Sequence, residues 1–225
     1  MHSESPYALG QVLLIDKPLG WTSFDVVRKL RHLVRIKKIG HAGTLDPLAT
    51  GLLIVCTGKF TKRINEFMAQ EKEYTGTITL GAVTPSYDLE TEPTDHQDIG
   101  AITLSLIQQS VKQFTGSILQ VPPAHSAIKV KGKRVYELAR KGESVILEPR
   151  RITISSFEVL RFEEGLVHFK VVCSTGTYIR SLANDLGVAL GCGAYLSALR
   201  RTRIGSFLVD QAQTPEQFER SLPVQ

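Results

Sequence analysis

The run from Gly40 to Gly51, GHAGTLDPLATG, sets a single acid, Asp46, among small, stiff and apolar neighbours. Pro47 fixes its own φ and disfavours helical geometry at Asp46, while the glycines of the run allow turns or a close approach of the backbone. The sequence therefore predicts a carboxylate held in a tight loop rather than a solvated surface charge. A purely structural interpretation also fits, since an acid ahead of a proline commonly caps a turn.

Size and composition are typical of one large domain that buries its own core. The chain has 225 residues, of which 42% are hydrophobic. No apolar run reaches the length of a membrane span, and the opening MHSESPYALG has neither part of a secretory signal, so we expect a soluble, cytoplasmic protein. The cysteines are too scattered for a disulfide framework or a thiolate metal site, and we expect each to be buried: Cys56, Cys173 and Cys192.

The charge of the chain is segregated more than its net value of +5 suggests. Six basic residues and no acid lie between Arg28 and Lys38, and eight basic residues face three acids between Pro122 and Arg151. Acids instead concentrate between Asp88 and Asp98. This distribution favours a protein that presents one face to a phosphate backbone, although solvated helix faces produce similar runs.

Hydrophobic periodicity predicts strands and helices that do not alternate as in a simple βαβ fold. Strands are predicted at Val12 to Ile15, Leu52 to Cys56, Glu73 to Leu80, Ile152 to Leu160, Leu166 to Cys173 and Ile204 to Asp210. Helices are predicted to start near Ser23, as the N-cap, and to cover Lys62 to Met68, Leu104 to Phe114, Tyr178 to Leu190 and Tyr195 to Arg201. We therefore expect an α/β (α+β) fold with a mixed or antiparallel sheet.

Four motifs, in their order and spacing, resemble the TruB family of tRNA pseudouridine synthases, which modify uridine 55 in the T loop. They are VLLIDKPLGWTSFDVV from Val12, the Asp46 loop, EKEYTGTITLG from Glu71 and STGTYIRSLANDLG from Ser174. The resemblance implies the pseudouridine synthase fold, a mixed, largely antiparallel central sheet flanked by helices in one catalytic domain, residues 1–225. It also implies a thumb-like RNA-binding insertion at residues 122–151, and the short form of the family without a C-terminal PUA domain.

The reaction implied by the resemblance breaks the bond at C1′ of uridine, rotates the free uracil and joins its C5 to the same carbon. It needs an ionised acid near C1′, a base near C5 and a closed pocket. It needs no metal or cofactor, and we expect none, since the histidines are dispersed and no GxGxxG or Walker loop is present.

The resemblance assigns three catalytic residues. Asp46 matches the catalytic carboxylate, acting either as a nucleophile or as the base that takes a proton from the sugar. Arg180, in GTYIR, matches the arginine expected to pair with Asp46, because a guanidinium favours the charged form of a buried acid. Tyr74, in EYTG, matches the tyrosine that stacks on the uracil and can relay the C5 proton.

The resemblance also assigns substrate-binding residues. His41 helps to extrude the target nucleotide, Leu199 lines the uracil pocket, and Tyr178 of the GTYIR motif contacts the substrate. Lys17 gives structural support or contacts a phosphate. Asp88 touches the flipped nucleotide, although Thr84, Pro85 and Ser86 depart from the usual lead-in to that acid. Simpler interpretations stay open, namely a turn histidine for His41 and ordinary helix packing for Leu199.

The insertion resembles the thumb that orders over the T-arm of tRNA. We expect it to be irregular, with a helical middle near Tyr136 to Lys141, and its cations to clamp phosphates without reading sequence. These RNA-binding candidates are Lys129, Lys131, Lys133 and Arg134. His125 stands where the family has an aromatic residue before SAIK, so a local RNA contact can differ.

The leading hypothesis is a monomeric enzyme that isomerises uridine 55 in the T-arm of tRNA. A relative that acts on another RNA, such as ribosomal RNA, would use the same chemistry with a different docking surface. A protein that only binds RNA or chaperones tRNA folding would have no need of Asp46, Tyr74 and Arg180. A carboxylate hydrolase would need a second acid paired with Asp46, and none is evident.

Overall fold

The computed structural model describes residues 5–124, 129–130, 133–134 and 147–223, with the backbone alone at 129–130 and 133–134. By internal contacts the chain divides into two compact units, Met1–Thr75 with Leu199–Gln225, and Gly76–Ala198. Two strands, β4 (Lys72–Leu80) and β10 (Ala194–Ile204), have residues in both units.

The sheet of the first unit is mixed, as predicted, and β3 (Ala49–Thr57) is its central strand. This strand pairs antiparallel with β1 (Val12–Lys17) and β2 (Ile39–His41), and parallel with β10 from Leu199 to Arg201. A turn then leads β10 back into a short antiparallel partner, β11 (Phe207–Leu208). The helices of this unit are α1 (Pro6–Leu9), α2 (Ser23–Val34), α3 (Ile64–Met68) and α6 (Pro215–Ser221), with 3₁₀ turns at Gly58–Arg63 and Val209–Gln211.

The middle of β3 is buried on both faces. Leu53 and Val55 belong to a core cluster with apolar residues of α2 and α6, while Leu52 and Ile54 belong to a second cluster with Phe67 of α3. A strand covered on both faces shows no alternation of apolar and polar residues, and this explains the continuous apolar run from which the strand was predicted.

The second unit contains the strand order β4–β9–β8–β5. Two long antiparallel strands, β8 (Arg150–Glu163) and β9 (Leu166–Cys173), form the hairpin predicted from the sequence, and β5 (Gly116–Gln120) pairs antiparallel with β8. Helix α4 (Leu104–Ser110), which continues as a 3₁₀ turn at Val111–Phe114, contacts both β8 and α5 (Ile179–Leu190). In the insertion, β6 (Lys129–Val130) and β7 (Lys133–Arg134) pair antiparallel.

One predicted helix is wrong, because Tyr195 to Arg201 lies within strand β10. Gly191, at φ 70°, ends helix α5 in the left-handed conformation, and the chain then extends. Tyr195 and Leu199 have helical spacing, but a short apolar run fits a strand as well, and pairing with β3 decides the outcome. The strand predicted at Ile204 to Asp210 is also wrong in part, since a turn, β11 and a 3₁₀ turn divide that segment.

Smaller differences concern the element ends. Thr22, rather than Ser23, is the N-cap of α2, where it forms a capping box with Asp25. The helix predicted at Lys62 to Met68 begins as the 3₁₀ turn noted above. All three cysteines are buried, as predicted. Among the described residues, no helix has the length and apolar character that a membrane crossing requires.

Candidate active site

The loop between β2 and β3 carries Asp46, and hydrogen bonds fix its backbone on both sides. The Leu45 N–H donates to Oγ of Ser23 at 2.9 Å, and that hydroxyl donates to the Leu45 carbonyl at 3.2 Å. Ser23 is buried in the first turn of α2, so the helix anchors the residue before the acid. The Ala49 N–H donates to the Asp46 carbonyl at 3.0 Å and closes a turn over Pro47. The half-buried acid is thus held in a tight loop, as predicted.

Lys17, at the end of β1, is fully buried beside this loop. Its Nζ donates to the carbonyls of Trp21 at 2.6 Å, Pro18 at 3.0 Å and Pro47 at 3.4 Å. Burial lowers the pKa of Lys17 to about 8, and the negative charge of Asp46 opposes that shift. The three contacts tie the turn after β1 to the residue that follows Asp46. They favour structural support, one of the two roles predicted for Lys17.

Arg201 of β10 is fully buried and braces both ends of the loop. Its Nε donates to the Leu52 carbonyl at 2.7 Å, and a terminal N–H donates to the Gly43 carbonyl at 3.2 Å. Arg201 also lies opposite Gly51 in the parallel register. Gly51 has a φ of 100°, and a Cβ added to it would come within 2.3 Å of the Arg201 carbonyl oxygen. Only glycine fits there, so the close approach of the two strands explains one glycine of the run.

His41 ends β2 at the start of the loop and is half-buried. Burial lowers the pKa of its imidazole, the Arg201 cation lowers it further, and a hydrogen bond with Gly43 acts in the opposite direction. Its Nδ1 is buried and has no hydrogen-bond partner among the described residues. These surroundings favour the neutral ring, while the predicted role in extruding the nucleotide stays a prediction.

Leu199 and Tyr74 lie on strands of the first unit. Leu199 is half-buried and stands opposite Ala49 in the β10–β3 register, beside the residues that follow Asp46. Thr50 Oγ1 donates to the Leu199 carbonyl at 3.4 Å. Tyr74 is buried near the start of β4, the strand position expected for it. The roles of both residues toward a uracil stay predictions.

The second unit holds Arg180 and Asp88 as a buried pair, with only 5% and 4% of the two residues exposed. Arg180 Nε lies 3.5 Å from Oδ2 of Asp88, and a terminal N–H of Arg180 donates to the Ser86 carbonyl at 3.1 Å. Asp88 also accepts the Glu90 N–H at 3.0 Å. The sequence assigned these side chains to separate roles, whereas the structure brings them together. Ser86, at which the lead-in departs from the usual pattern, supplies one of the contacts.

Tyr178 precedes the first residue of α5 and is held by a side chain that the sequence analysis did not single out. The buried Gln120 accepts the Tyr178 N–H at 2.8 Å and donates to the Tyr178 carbonyl at 3.0 Å. In the next turn, Ser181 Oγ donates to the Val121 carbonyl at 2.8 Å. The end of β5, directly before the insertion, is therefore bonded to the start of the helix that carries Arg180.

Several predicted features of the site are not tested by the described residues. Asp46 belongs to the first unit and Arg180 to the second, so the pairing of these two stays a prediction. Of the insertion cations, Lys129, Lys133 and Arg134 are described only as backbone, while Lys131, His125 and the predicted helix at Tyr136 to Lys141 lie outside the described residues. In the part of the chain that is described, no three His, Cys, Asp or Glu side chains are grouped as a metal site requires.

The most important residue that sequence reasoning missed is Arg201. The segment from Tyr195 to Arg201 is predicted from the sequence as a helix, and that prediction gives no reason for Arg201 to be buried. An extended interpretation would have placed Arg201 on the same side of a strand as Leu199, because side chains alternate along a strand. That alternation was the available signal.

Comparison with solved structures shows the same fold. A chain of the crystal structure of a Cbf5–Nop10–Gar1 complex matches with a TM-score of 0.72 at 34% identity, over 92% of this chain and 52% of that one. A chain of an H/ACA RNP bound to a substrate RNA containing 2′-deoxyuridine matches with a TM-score of 0.64 at 31% identity, over 88% and 48%. This protein thus spans about half of the chains it matches there, and the predicted α/β class with a mixed central sheet is confirmed.

Sequence comparison identifies the family. Residues 31–179 match the model of the TruB family pseudouridylate synthase N-terminal domain, and residues 180–223 that of the tRNA pseudouridylate synthase B C-terminal domain. The chain belongs to the TruB family of pseudouridylate synthases, which confirms the predicted isomerase. Similar proteins include the tRNA pseudouridine synthase B of Flavobacterium johnsoniae, 56% identical over 96% of this chain and 97% of that protein. That of Bacteroides fragilis is 52% identical over 93% and 92%.

Proposed function

We propose that this enzyme converts uridine 55 in the T loop of tRNA into pseudouridine, with Asp46 as the catalytic carboxylate. The observation that carries the proposal is the loop around Asp46, whose backbone is fixed on both sides beside the buried cations Lys17 and Arg201. Such a loop places one carboxylate at a defined position, where it interacts with the charge of Lys17. The relatives named tRNA pseudouridine synthase B, which align over nearly their whole length, support tRNA as the substrate.

In the proposed reaction the target nucleotide leaves the loop stack, and His41 fills part of the gap. Asp46 acts at the nucleotide as nucleophile or as base on the sugar, and the bond between C1′ and N1 breaks. The uracil rotates while Leu199 and Tyr74 confine it, and C1′ joins to C5 as Asp46 leaves C1′ or, if it acted as the base, returns the proton to the sugar. The C5 proton leaves through Tyr74, and N1 gains a proton, so the product is an isomer of the substrate.

Arg180 is proposed to pair with Asp46, and Asp88 to set the orientation of Arg180. The bond of Asp88 to the guanidinium supports this role, because a planar fork held at one edge presents its other edge in a fixed direction. Asp88 then affects the reaction through Arg180, in addition to its predicted contact with the flipped nucleotide.

The proposed substrate contacts extend beyond the uridine. The insertion cations and the basic run from Arg28 to Lys38 would bind phosphates of the T-arm, which gives affinity without sequence readout. We propose that a monomer acts on each tRNA and that the enzyme works in the cytoplasm, where its tRNA substrate is found.

Incubation of the purified protein with an unmodified tRNA transcript, followed by mapping of pseudouridine, tests the proposal. We expect conversion at position 55 and none in a transcript that carries cytidine there. Asp46→Asn should retain less than about one thousandth of the activity, as expected for the loss of a central catalytic group. The exposed acid Asp210, changed to Asn, is the matched control and should retain activity. Conversion elsewhere in the tRNA, or only in a ribosomal RNA fragment, would contradict the assignment.

A further inference from the structure

Two large apolar side chains are exposed beside the Asp46 loop. Leu19 is 64% exposed and Phe24 is 59% exposed. The segment that carries them is bonded to the residue after Asp46, since the Gly20 N–H donates to the Pro47 carbonyl at 2.9 Å. Any molecule that reaches Asp46 from this side therefore passes over an apolar surface.

Phe24 begins a line of side chains along one face of α2. Arg28 and Arg31 follow it at spacings of four and three residues, which place them on the same side of the helix, and Arg35 is the C-cap four residues further on. The helix spans Ser23–Val34, about 18 Å at 1.5 Å per residue. The line thus leads from the loop end of α2 toward its far end.

The three arginines of this line differ in their exposure and in their partners. Arg28 donates to Asp25 at 2.8 Å, but its side chain is 70% exposed, and such a surface ion pair is weak. Arg31 Nε is buried and has no partner among the described residues. Arg35 is exposed in the left-handed C-cap position, at φ 53°. The basic run from Arg28 to Lys38 contains no acid; Asp25 and Glu219 pair with its first two cations, Arg28 and Lys29, and leave the run with a net positive charge.

A concavity of about 610 Å³ lies next to the line. It is lined by Gly20, Trp21, Asp25, Arg28, Lys29 and His32, so one carboxylate stands there among the basic side chains. A space of that size, with an aromatic side chain and cations at its edge, is large enough for one nucleotide unit. The apolar end of the surface and its basic remainder thus match the two chemical parts of a nucleic acid, the base and the phosphate.

We propose that this surface, the α2 surface of Leu19, Phe24, Arg28, Arg31 and Arg35, binds the RNA strand that flanks the target nucleotide. An unpaired base stacks on the Phe24 ring, and the phosphates that follow it lie against the three arginines. Stacking on an aromatic side chain tolerates any base, and the cations follow the backbone, so the contact needs no particular sequence. The inference rests on the proposed function for the identity of the RNA, and charge complementarity favours RNA over a protein partner.

Removal of the three positive charges tests the phosphate contacts. The variant carries Arg28→Gln, Arg31→Gln and Arg35→Gln, and its affinity for a T-arm hairpin is measured over a range of salt concentrations. The slope of log K against log salt should decrease by about 2, from roughly 0.7 per phosphate contact on a single strand. The matched control removes three positive charges elsewhere on the surface, by changing the exposed lysines Lys59, Lys62 and Lys112 to Gln. It should leave the slope unchanged. Equal effects of the two variants would mean that only net charge matters, which overturns the proposal.

Two substitutions of Phe24 test the stacking contact separately from charge and folding. Phe24→Leu keeps an apolar side chain but removes the aromatic face, and the affinity for the hairpin should fall by about tenfold. Phe24→Trp keeps the aromatic face and should bind within about twofold of the unchanged protein. A Phe24→Leu protein that binds as well as the unchanged one would overturn the inference and leave a protein partner as the occupant of this surface.

The binding measurements are made in the Asp46→Asn background, so that they do not depend on turnover. If the unchanged enzyme fails to modify tRNA while the α2 variants lose RNA affinity, the proposed function fails and the α2 surface stands. If tRNA is modified but all α2 variants bind the hairpin normally, the α2 surface fails alone.

Discussion

The two compact units hold their buried arginines in different ways. Arg201 in the first unit donates to the carbonyls of Leu52 and Gly43, and no carboxylate lies within 4 Å of it among the described residues. Arg180 in the second unit contacts the Asp88 carboxylate and the Ser86 carbonyl. A carbonyl satisfies the donor of an arginine but leaves its charge in place, whereas a carboxylate also neutralises it.

The difference indicates separate tasks for the two arginines. Lys17 is also held by carbonyls, so two buried cations near the Asp46 loop keep their positive charge. The Arg201 cation adds to burial in lowering the pKa of His41, and Lys17 interacts with the charge of Asp46. The pair in the second unit is locally neutral and fixes the direction of a planar guanidinium instead. We infer that the first unit contributes an electrostatic field and the second a rigid donor.

The largest expected effect is on catalytic activity, and it separates the task of Arg180 from that of Arg201. Arg180→Lys keeps the charge but loses the planar fork, and we expect kcat/KM to fall by about a thousandfold. Arg201→Lys keeps the charge that we consider important there, so its loss of activity should be far smaller. Single-turnover kinetics on a tRNA transcript measure both. Comparable losses in the two variants would show that the arginines do not differ in task.

The next effect is on stability and concerns the partner of Arg180. Asp88→Asn leaves a buried guanidinium without its charge partner, and the free energy of unfolding should fall by about 3 kcal/mol. Asp98→Asn is a matched control, because Asp98 likewise accepts the N–H two residues later but is exposed. Urea denaturation measures both variants. Equal, small losses would show that the bond at 3.5 Å contributes little.

Local patterns predicted the elements whose packing agrees with their periodicity. The central strand was recognised from its continuous apolar run, and α2 and α4 were placed by apolar residues at helical spacing. The error at Tyr195 to Arg201 arose because the segment is short and its apolar residues fit either period. Its pairing with β3 joins residues far apart in the sequence, and a local pattern does not contain that information.

In the candidate site, too, local features were predictable from the sequence and long-range contacts were not. Glycine and proline predicted the loop around Asp46, because glycine permits turns and proline fixes φ wherever they occur. The burial of Arg201 depends on carbonyls 149 and 158 residues away, and the pairing of Asp88 with Arg180 depends on a similar long-range approach. Family resemblance supplied Arg180 and Asp88 as separate residues, whereas their contact required the fold.

The smallest expected effect is on the pKa of His41, and it tests directly whether the Arg201 cation creates a local electrostatic field. In the folded protein, burial and the Arg201 cation hold the pKa of His41 below its ordinary value of about 6.5. Below that pH the unfolded state binds more protons than the folded one, so His41 makes the fold less stable as the pH falls. Arg201→Met removes the cation, so the pKa of His41 should rise and this acid sensitivity should shrink. An NMR titration of the imidazole, with urea denaturation at several pH values, measures both quantities.

Arg200→Met is the control for that titration, because it removes the same charge one residue away. Arg200 is half-exposed and bonded to the Asp16 carboxylate at 2.7 and 3.0 Å, so its charge is already neutralised locally. We expect no change in the pKa of His41 in this variant, and a partial change at most in Arg201→Lys, which keeps the cation. If Arg201→Met leaves the pKa of His41 unchanged, or if Arg200→Met raises it equally, the carbonyl-held cation does not create the local field. The contrast between the two units would then reduce to one of packing.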